Sequence, residues 1–380
     1  MDRGPLIILG ASVRAAAQSA IRAGYRPYPI DLFADSDLKH LDPVQIERYP
    51  SGFLPALAAA PQAPWMYTGS LENYPRLIAR LTKLRPLIGN GPEALRKVRD
   101  PFRLAEVVAG TAVKFPLIGS QGAGVRDQDA GVSWLLKPLR SGAGMGIKRV
   151  NSCDPTPGHI CQQFIPGQNC SASFVAANGH VRWIGAAEQW IGRDWAAPQE
   201  FQYAGSLAPL ELSESEKTAL LEMAERLTQA AGLQGLFGCD FIRNEQGLWL
   251  IEVNPRYTAS MELFEVLNDR RLLSEHCGSP PLAARQEPRP PDRSGPRGRW
   301  TAKLIVYADR PGDCGGELHR VLRRLHEDRI DTADVPRPGT RFEVGNPICT
   351  LLSSKHDHER GEMISRLKDA AAVVRRALDS

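Results

Sequence analysis

The apolar and polar positions at the start of the chain predict alternating buried strands and helices. The apolar run Pro5–Gly10 is typical of a buried parallel strand, and an Ala-rich helix follows it and ends at Gly24. The segment Tyr28–Phe33 has the pattern of the next strand, with Asp31 near its end. This order of elements indicates half of a doubly wound α/β domain.

The turn after the first strand does not complete a dinucleotide-binding fingerprint. Gly10 is present, but Ser12 and Ala15 stand where the later glycines of that motif would lie. An ordinary α/β domain is therefore favoured over a dinucleotide site. A predicted helix and strand end at Leu87, and the Asn-Gly-Pro break that follows places the end of this domain at residue 92.

Two apolar strands joined by a polar turn predict a β-hairpin from Asp240 to Arg256. Asp240 lies on the first strand, and Glu252 and Asn254 leave one face of the second, because side chains alternate along a strand. These three side chains supply hard oxygen ligands, which suit Mg²⁺ held together with substrate phosphates. Arg256 follows them and is placed to stabilise developing negative charge. The alternative interpretation is an ordinary hairpin with a charged rim.

The segment Trp134–Val150 is predicted to form a strand, a glycine-rich loop and a second strand. Gly142, Gly144 and Gly146 alternate along the loop, so backbone N–H groups can approach phosphate oxygens without a Cβ clash. Lys137, in the strand before the loop, offers a positive charge to the same phosphates. No Gly-Lys-Ser/Thr closes the loop, so it is not a P-loop. A plain turn is the alternative, but this loop together with the acidic hairpin is a more specific signal.

The remaining chain divides at a change in composition. A strong N-cap signal at Ser213 begins a helix before the hairpin. Residues 281–299 are rich in Pro, Gly and Arg, which is typical of an exposed linker, with nucleic-acid binding as the alternative for its arginines. A strand and a helix that begins at Gly316 then predict a small α/β domain. We therefore expect domains at 1–92, 93–280 and 300–380, with the linker at 281–299 between the last two.

The composition narrows the class of protein. The 380 residues carry a formal charge of +4, which argues against a dedicated nucleic-acid binder. No apolar run approaches the roughly eighteen residues that a membrane helix needs, so no membrane partner is expected. The seven cysteines are scattered, and the N-terminus lacks the features of a signal peptide. We expect a cytoplasmic protein with reduced thiols.

With its glycine loop and acidic hairpin, the chain resembles the ATP-grasp superfamily, in the branch related to biotin carboxylase and small carboxylate–amine ligases. The resemblance implies an α/β protein with an N-terminal Rossmann-like domain, a central two-lobed α+β ATP-grasp domain and a small C-terminal α/β cap. It implies ATP between loop and hairpin, with Mg²⁺ or Mn²⁺ on Asp240, Glu252 and Asn254. Lys137 and the loop glycines match the family's phosphate-binding residues, and Lys137 and Arg256 are the expected catalytic residues.

The resemblance also assigns nucleotide contacts elsewhere, with two departures from the family pattern. The residues expected at the adenine are Gln163, Phe164 and Ile165. Gln162 stands where the family often has Glu. A further phosphate-binding Lys of many members is absent from this chain; Arg99 is the expected replacement, with Lys97 and Arg103 as less favoured alternatives.

The implied activity is ADP-forming ligation of a carboxylate, activated as an acyl phosphate, to an amine, in amino-acid or cofactor biosynthesis. Small-molecule carboxylates and amines are the expected partners, and a homodimer is left open. The alternatives are a biotin-independent carboxylase that uses carboxyphosphate and a catalytically silent ATP-binding protein. Ser260 stands where biotin-dependent members carry a bicarbonate-activating Glu, which favours ligation.

Candidate substrate contacts come from two parts of the chain. Arg193 and Tyr203 lie between the adenine segment and the hairpin, where related ligases face the acceptor. Arg193 could hold a carboxylate bidentately, and Tyr203 could stack on a flat ring. A surface Arg and a core aromatic residue are the alternative interpretation. In the family the N-terminal domain walls the substrate cleft, which makes Ser12 and Arg14 further candidates.

Overall fold

The structure, a computed structural model, describes residues 2–119, 132–153, 156–278, 300–353 and 359–379. The predicted linker at 281–299 therefore lies outside the described residues. Of the helices in the described part of the chain, none combines the length and apolar character needed to cross a membrane. The α/β fold predicted from the sequence is confirmed.

The N-terminal region is a parallel sheet with helices packed against it. Its elements are β1 Pro5–Gly10, α1 Arg14–Arg22, β2 Arg26–Asp31, β3 Val44–Gln45, α2 Phe53–Ala59, β4 Trp65–Tyr67 and α3 Pro75–Thr82, with 3-10 helices at Ser36–Leu41 and Leu71–Asn73. The strand order is β3-β2-β1-β4, and all three pairings are parallel. Asp31 accepts the backbone N–H groups of Val13 and Ala34 at 2.7 and 2.6 Å, so it closes the turn after β1.

A small antiparallel sheet follows and carries the glycine loop. The elements are α4 Pro92–Val98, α5 Pro101–Val108, β5 Ile118–Gly119, β6 Trp134–Pro138, β7 Lys148–Val150 and β8 His159–Gln163. The strand order is β5-β8-β6-β7. The glycine loop joins β6 to β7, as predicted, and β8 leads into the expected adenine segment.

A large antiparallel sheet forms the centre of the molecule. The first elements are β9 Gln168–Ala177, β10 His180–Ile191, β11 Tyr203–Ala208, α6 Glu214–Ala231, β12 Gly235–Asn244, β13 Gly247–Asn254, α7 Met261–Asn268 and α8 Leu272–His276. The predicted N-cap is present, because Ser213 and Glu216 form a capping box at the start of α6. Phe174 and Phe237 stack at 5.2 Å in the core between this sheet and α6.

The C-terminal strands extend the same sheet. The elements are β14 Thr301–Tyr307, β15 Gly312–Asp313, α9 Gly316–Glu327, β16 Ile330–Ala333, β17 Arg341–Phe342, β18 Pro347–Ser353 and α10 Arg360–Arg376. The sheet order is β13-β12-β9-β10-β11-β14-β18-β16, so β14 pairs directly with β11. The predicted C-terminal cap thus shares its sheet and part of its core with the central region.

Candidate nucleotide and metal site

The hairpin β12–β13 brings three of the predicted ligands to one face of the sheet edge. Asp240 lies opposite Glu252, and Asn254 lies opposite Gly238, two residues before Asp240. A β-bulge follows this register, because Phe241 pairs with Leu250 and one residue of β13 is left over. Bulges bend a strand locally and re-aim side chains, which is common next to active sites.

Asp240 is held by two side-chain amides. Gln189 Nε2 donates to Oδ1 and Asn254 Nδ2 donates to Oδ2, both at 2.9 Å. Burial, together with the charge of Glu252, raises the pKa of Asp240 to about 7. The two carboxylates therefore repel each other across the hairpin, and a cation placed between them would be stabilised.

Glu252 forms an ion pair with Arg99. Burial opposes the ionisation of Glu252, but the charges of Arg99 and Lys137 outweigh it and hold the pKa of Glu252 below its ordinary value. Lys97 and Arg103, the other candidates for the second phosphate-binding cation, each pair with a carboxylate within four residues of themselves. Of the three, the structure brings only Arg99 to the hairpin.

Lys137 lies on β6 beside the start of the adenine segment. Its Nζ donates to Gln162 Oε1 at 2.7 Å, so the Gln that departs from the family pattern holds the lysine in place. Burial, together with the neighbouring Arg99, lowers the pKa of Lys137, against the attraction of Glu252 and Asp240. An anionic phosphate next to Lys137 would therefore stabilise its positive charge.

Within the described part of the chain, the predicted adenine segment leaves one backbone donor available. Gln163 and Phe164 donate their N–H groups to Leu117 and Ser133 at 2.9 and 2.7 Å. Among the described residues, the N–H of Ile165 has no backbone acceptor. The Phe164 ring lies 4.0 Å from the Arg149 guanidinium and so packs on the strand after the glycine loop.

The glycine loop is closed against two other parts of the chain. A Cβ on Gly144 would lie 1.8 Å from the carbonyl oxygen of Phe201, and the φ of Gly144 is +74°, so this position requires glycine. A Cβ on Gly142 would lie 2.2 Å from Ser70 Oγ. At Gly146 the nearest atom is Pro138 Cγ at 3.1 Å, again with a positive φ. The three glycine positions therefore leave little room for a Cβ in the closed loop.

Arg256 is anchored by a residue that the sequence analysis missed. Glu72, only 2% exposed, accepts from Arg256 Nε at 2.8 Å. Arg256 NH2 also donates to Asn254 Oδ1 at 3.1 Å, so the arginine is tied to the predicted metal ligands. Glu72 and the next residue, Asn73, follow β4, and ligand clefts lie at the carboxyl ends of strands in doubly wound sheets. The position of these two residues after a strand was the feature of the sequence that could have identified them.

Arg14 lies in a buried ionic cluster that joins all three regions, and the exposed Ser12 contacts this cluster. Arg14 is 1% exposed and pairs with Glu262, and its Nε lies 3.1 Å from Asp334 Oδ1. Ser12 Oγ donates to the same Asp334 oxygen at 3.1 Å, and Lys303 Nζ lies 2.9 Å from Glu262. The Arg14 guanidinium is paired with protein carboxylates, and this arrangement gives no support to a substrate contact of Arg14.

One acceptor candidate lies in the connection between β10 and β11, and the other lies at the start of β11. Arg193 is exposed in the 3-10 helix Arg193–Trp195. Tyr203 is at the start of β11, where its hydroxyl bonds Ser206 Oγ at 2.8 Å. Trp190 is buried and stacks on Trp195 at 4.0 Å, so these two rings pack on each other.

The donor set fits a hard divalent cation that is coordinated by protein oxygens together with phosphate oxygens. Within the described ranges no three His, Cys, Asp or Glu side chains form a metal-binding group. The hairpin offers two carboxylates and one amide, from Asp240, Glu252 and Asn254. Mg²⁺ is commonly bound through one or two carboxylates plus substrate phosphates, and this set meets that requirement.

Comparison with known proteins gives a consistent result. Residues 98–260 match the sequence model of the ATP-grasp domain. An uncharacterized protein of Methanocaldococcus jannaschii is 20% identical over 376 residues, which cover 92% of this chain and 88% of that protein. The chain also resembles the biotin carboxylase of Campylobacter jejuni, with a TM-score of 0.68, 16% identity, and 96% of this chain and 90% of that chain covered. The L-amino acid ligase of Bacillus licheniformis gives a TM-score of 0.68 at 14% identity, with 97% and 98% covered.

Proposed function

Because residues 98–260 match the model of the ATP-grasp domain, we propose that the protein is an ATP-dependent ligase that activates a carboxylate as an acyl phosphate. An amine then displaces phosphate and forms an amide, and ADP is the nucleotide product. The similarity of the whole chain to an L-amino acid ligase supports a small-molecule acceptor. An amino-acid-like carboxylate or a cofactor precursor is the proposed class of substrate.

The observation that carries this proposal is the convergence of three cations on two carboxylates beside the glycine loop. Arg99, Lys137 and Arg256 each lower the pKa of Glu252, and Asp240 lies opposite it. Phosphoryl transfer depends mainly on positioning and on neutralising charge. This cluster supplies both, and no side chain has to act as a general base or as a nucleophile.

Each group has a distinct role in the proposed reaction. Lys137 and Arg99 would bind the phosphates, which replace Gln162 and Glu252 as their partners. Asp240, Glu252 and Asn254 would hold Mg²⁺, which would neutralise phosphate charge. Arg256, fixed by Glu72, would stabilise the charge that develops as the acyl phosphate forms and breaks down. The closed glycine loop would exclude water from that intermediate.

A carboxylase that forms carboxyphosphate is less well supported by the same site. It would need a base for bicarbonate, and Glu262 is the carboxylate that follows Arg256 most closely in sequence. Glu262 is 4% exposed and is bound by Arg14 and Lys303, whose charges overcome the effect of burial and lower its pKa. A carboxylate so paired is a poor proton acceptor.

Product analysis tests the proposal. The protein is incubated with ATP, Mg²⁺ and pooled carboxylates and amines, and the nucleotides are separated by chromatography. We expect ADP and phosphate, and we expect the Glu252→Gln variant to release neither above background. AMP and pyrophosphate would contradict the acyl-phosphate mechanism. ADP release stimulated by bicarbonate in the absence of any other carboxylate would favour the carboxylase.

A further inference from the structure

Asn73 lies between the glycine loop and Arg99, although it belongs to the N-terminal region. Its Nδ2 donates to the backbone carbonyl of Ser141, the residue before the first loop glycine, at 2.9 Å. Its Oδ1 accepts from Arg99 NH2 at 2.8 Å. The residue is 7% exposed, so both ends of one buried amide are used, each by a different part of the site.

Arg99 divides its guanidinium between two partners. NH1 pairs with Glu252, a predicted metal ligand, while NH2 is held by Asn73. A guanidinium is a rigid planar fork, so fixing one end limits the directions in which the other can donate. When Glu252 is needed as a metal ligand, NH1 is released toward the phosphates while NH2 can remain on Asn73.

The glycine loop is held from a second side as well. Tyr203 donates its backbone N–H to the carbonyl of Ala143 at 2.9 Å, and Gln199 Oε1 accepts from the N–H of Gly146 at 2.8 Å. Among the described residues, Asn73 therefore supplies a hydrogen bond to the loop on the N-terminal side, next to the close approach of Ser70 to Gly142. The loop bridges two regions when it is closed.

We propose that Asn73 is a positioning residue that couples closure of the glycine loop to the orientation of Arg99. This inference rests on the proposed function, because it assigns Arg99 to the nucleotide phosphates. With the loop closed, the Asn73 amide is fixed by Ser141 and presents its oxygen to Arg99. With the loop open, the Asn73 amide loses Ser141 as a partner and no longer fixes the orientation of Arg99. Binding of phosphate and closing of the loop therefore favour each other.

Two substitutions separate the two ends of the amide. Asn73→Asp keeps an acceptor for Arg99 but removes the donor to Ser141, and Asn73→Ala removes both. Asn90→Ala is the matched control, because Asn90 also joins the N-terminal region to the central one, and its described side-chain hydrogen bonds go to Gln234 and Pro255 and not to the glycine loop. Thermal midpoints establish that the variants fold, and Asn73→Ser replaces Asn73→Ala if that variant does not.

Hydrogen exchange of a peptide spanning residues 139–147, in the nucleotide-free full chain, measures how often the glycine loop opens. Calorimetry with Mg²⁺ and a non-hydrolysable ATP analogue measures the coupling. We expect faster loop exchange in both Asn73 variants but not in Asn90→Ala. We expect the Kd of the analogue to rise about tenfold in Asn73→Ala, the scale of one hydrogen bond to a charged group, and by less than about threefold in Asn73→Asp.

The outcomes separate this inference from the proposed function. The inference, but not the proposed function, would be overturned if loop exchange were unchanged in both Asn73 variants. It would also be overturned if loop exchange rose equally in Asn90→Ala. Equal losses of analogue binding in Asn73→Ala and Asn73→Asp would overturn the link to Arg99. A wild-type protein that does not bind the analogue would overturn the proposed function, and the coupling with it.

Discussion

Replacement of Asp240 by Asn should make the protein more stable while abolishing its metal-dependent activity. Asp240 is half-buried opposite Glu252, and its partial burial and that charge raise its pKa from 3.8 to about 7. Asn would keep the shape and remove the charge. Its new N–H groups can be satisfied if the Gln189 amide turns over, while Asn254 stays fixed by its bond from Arg256.

The magnitude follows from the linkage between pKa and stability. Because the folded pKa is raised, the unfolded chain ionises first, and the ionised carboxylate destabilises the folded state increasingly as pH rises from about 4 to 7. The raised pKa corresponds to at most about 4 kcal/mol at pH 8, and solvent access to the half-buried side chain reduces this to about 2 kcal/mol. For a chain of this length that is an increase of roughly 2–3 °C in Tm. At pH 5 the gain should be about one third as large.

Thermal unfolding followed by circular dichroism at pH 5 and pH 8, without metal, measures this effect. Asp334→Asn is the matched control, because the charges of Arg14 and Lys303 overcome the effect of burial and lower the pKa of Asp334. Asp334 therefore stabilises the folded state above its unfolded pKa, and its replacement should lower the Tm at pH 8. A lower Tm for Asp240→Asn at pH 8, or a gain that is larger at pH 5, would refute the assignment of Asp240 as a strained carboxylate.

Three other substitutions, one of them with a matched control, test individual roles. Arg256→Ala should lower kcat for ADP release by at least about 100-fold, the scale of losing one charge-stabilising donor; a change below about tenfold would remove Arg256 from the reaction. Arg193→Ala should raise the KM of the carboxylate and leave ATP binding intact, and weakened ATP binding alone would show that this segment does not face the acceptor. Gly144→Ala should raise the KM of ATP at least about tenfold because its Cβ would meet the Phe201 carbonyl at 1.8 Å, whereas Gly146→Ala, with 3.1 Å to Pro138, should cost less.

The elements of the site were predictable because their signals are local. Alternating apolar residues around a polar turn specify the hairpin, and its strands β12 and β13 follow that pattern. The glycine loop and Lys137 can be recognised because they lie close together in the sequence. The predicted side chains Asp240, Glu252, Asn254 and Arg99 accordingly lie together in the structure.

The remaining contacts depend on packing between distant segments, which no local pattern encodes. The bulge after Asp240 arises from pairing across the hairpin, and Glu72 and Asn73 reach the site only because the N-terminal region packs on the central one. The same limit explains Arg14. The family resemblance suggested that Arg14 lines the substrate cleft, but carboxylates of residues more than two hundred positions away pair with it.

Transfer of ¹⁸O from a labelled carboxylate tests the central claim most directly. Once product analysis has identified a carboxylate, that compound is prepared with ¹⁸O in its carboxyl group and turned over with ATP, Mg²⁺ and an amine. In the proposed mechanism a carboxylate oxygen attacks the γ-phosphorus and leaves with it. Mass spectrometry should therefore find one ¹⁸O in the inorganic phosphate. Phosphate free of ¹⁸O, released together with ADP and amide, would contradict an acyl phosphate and the function proposed for this site.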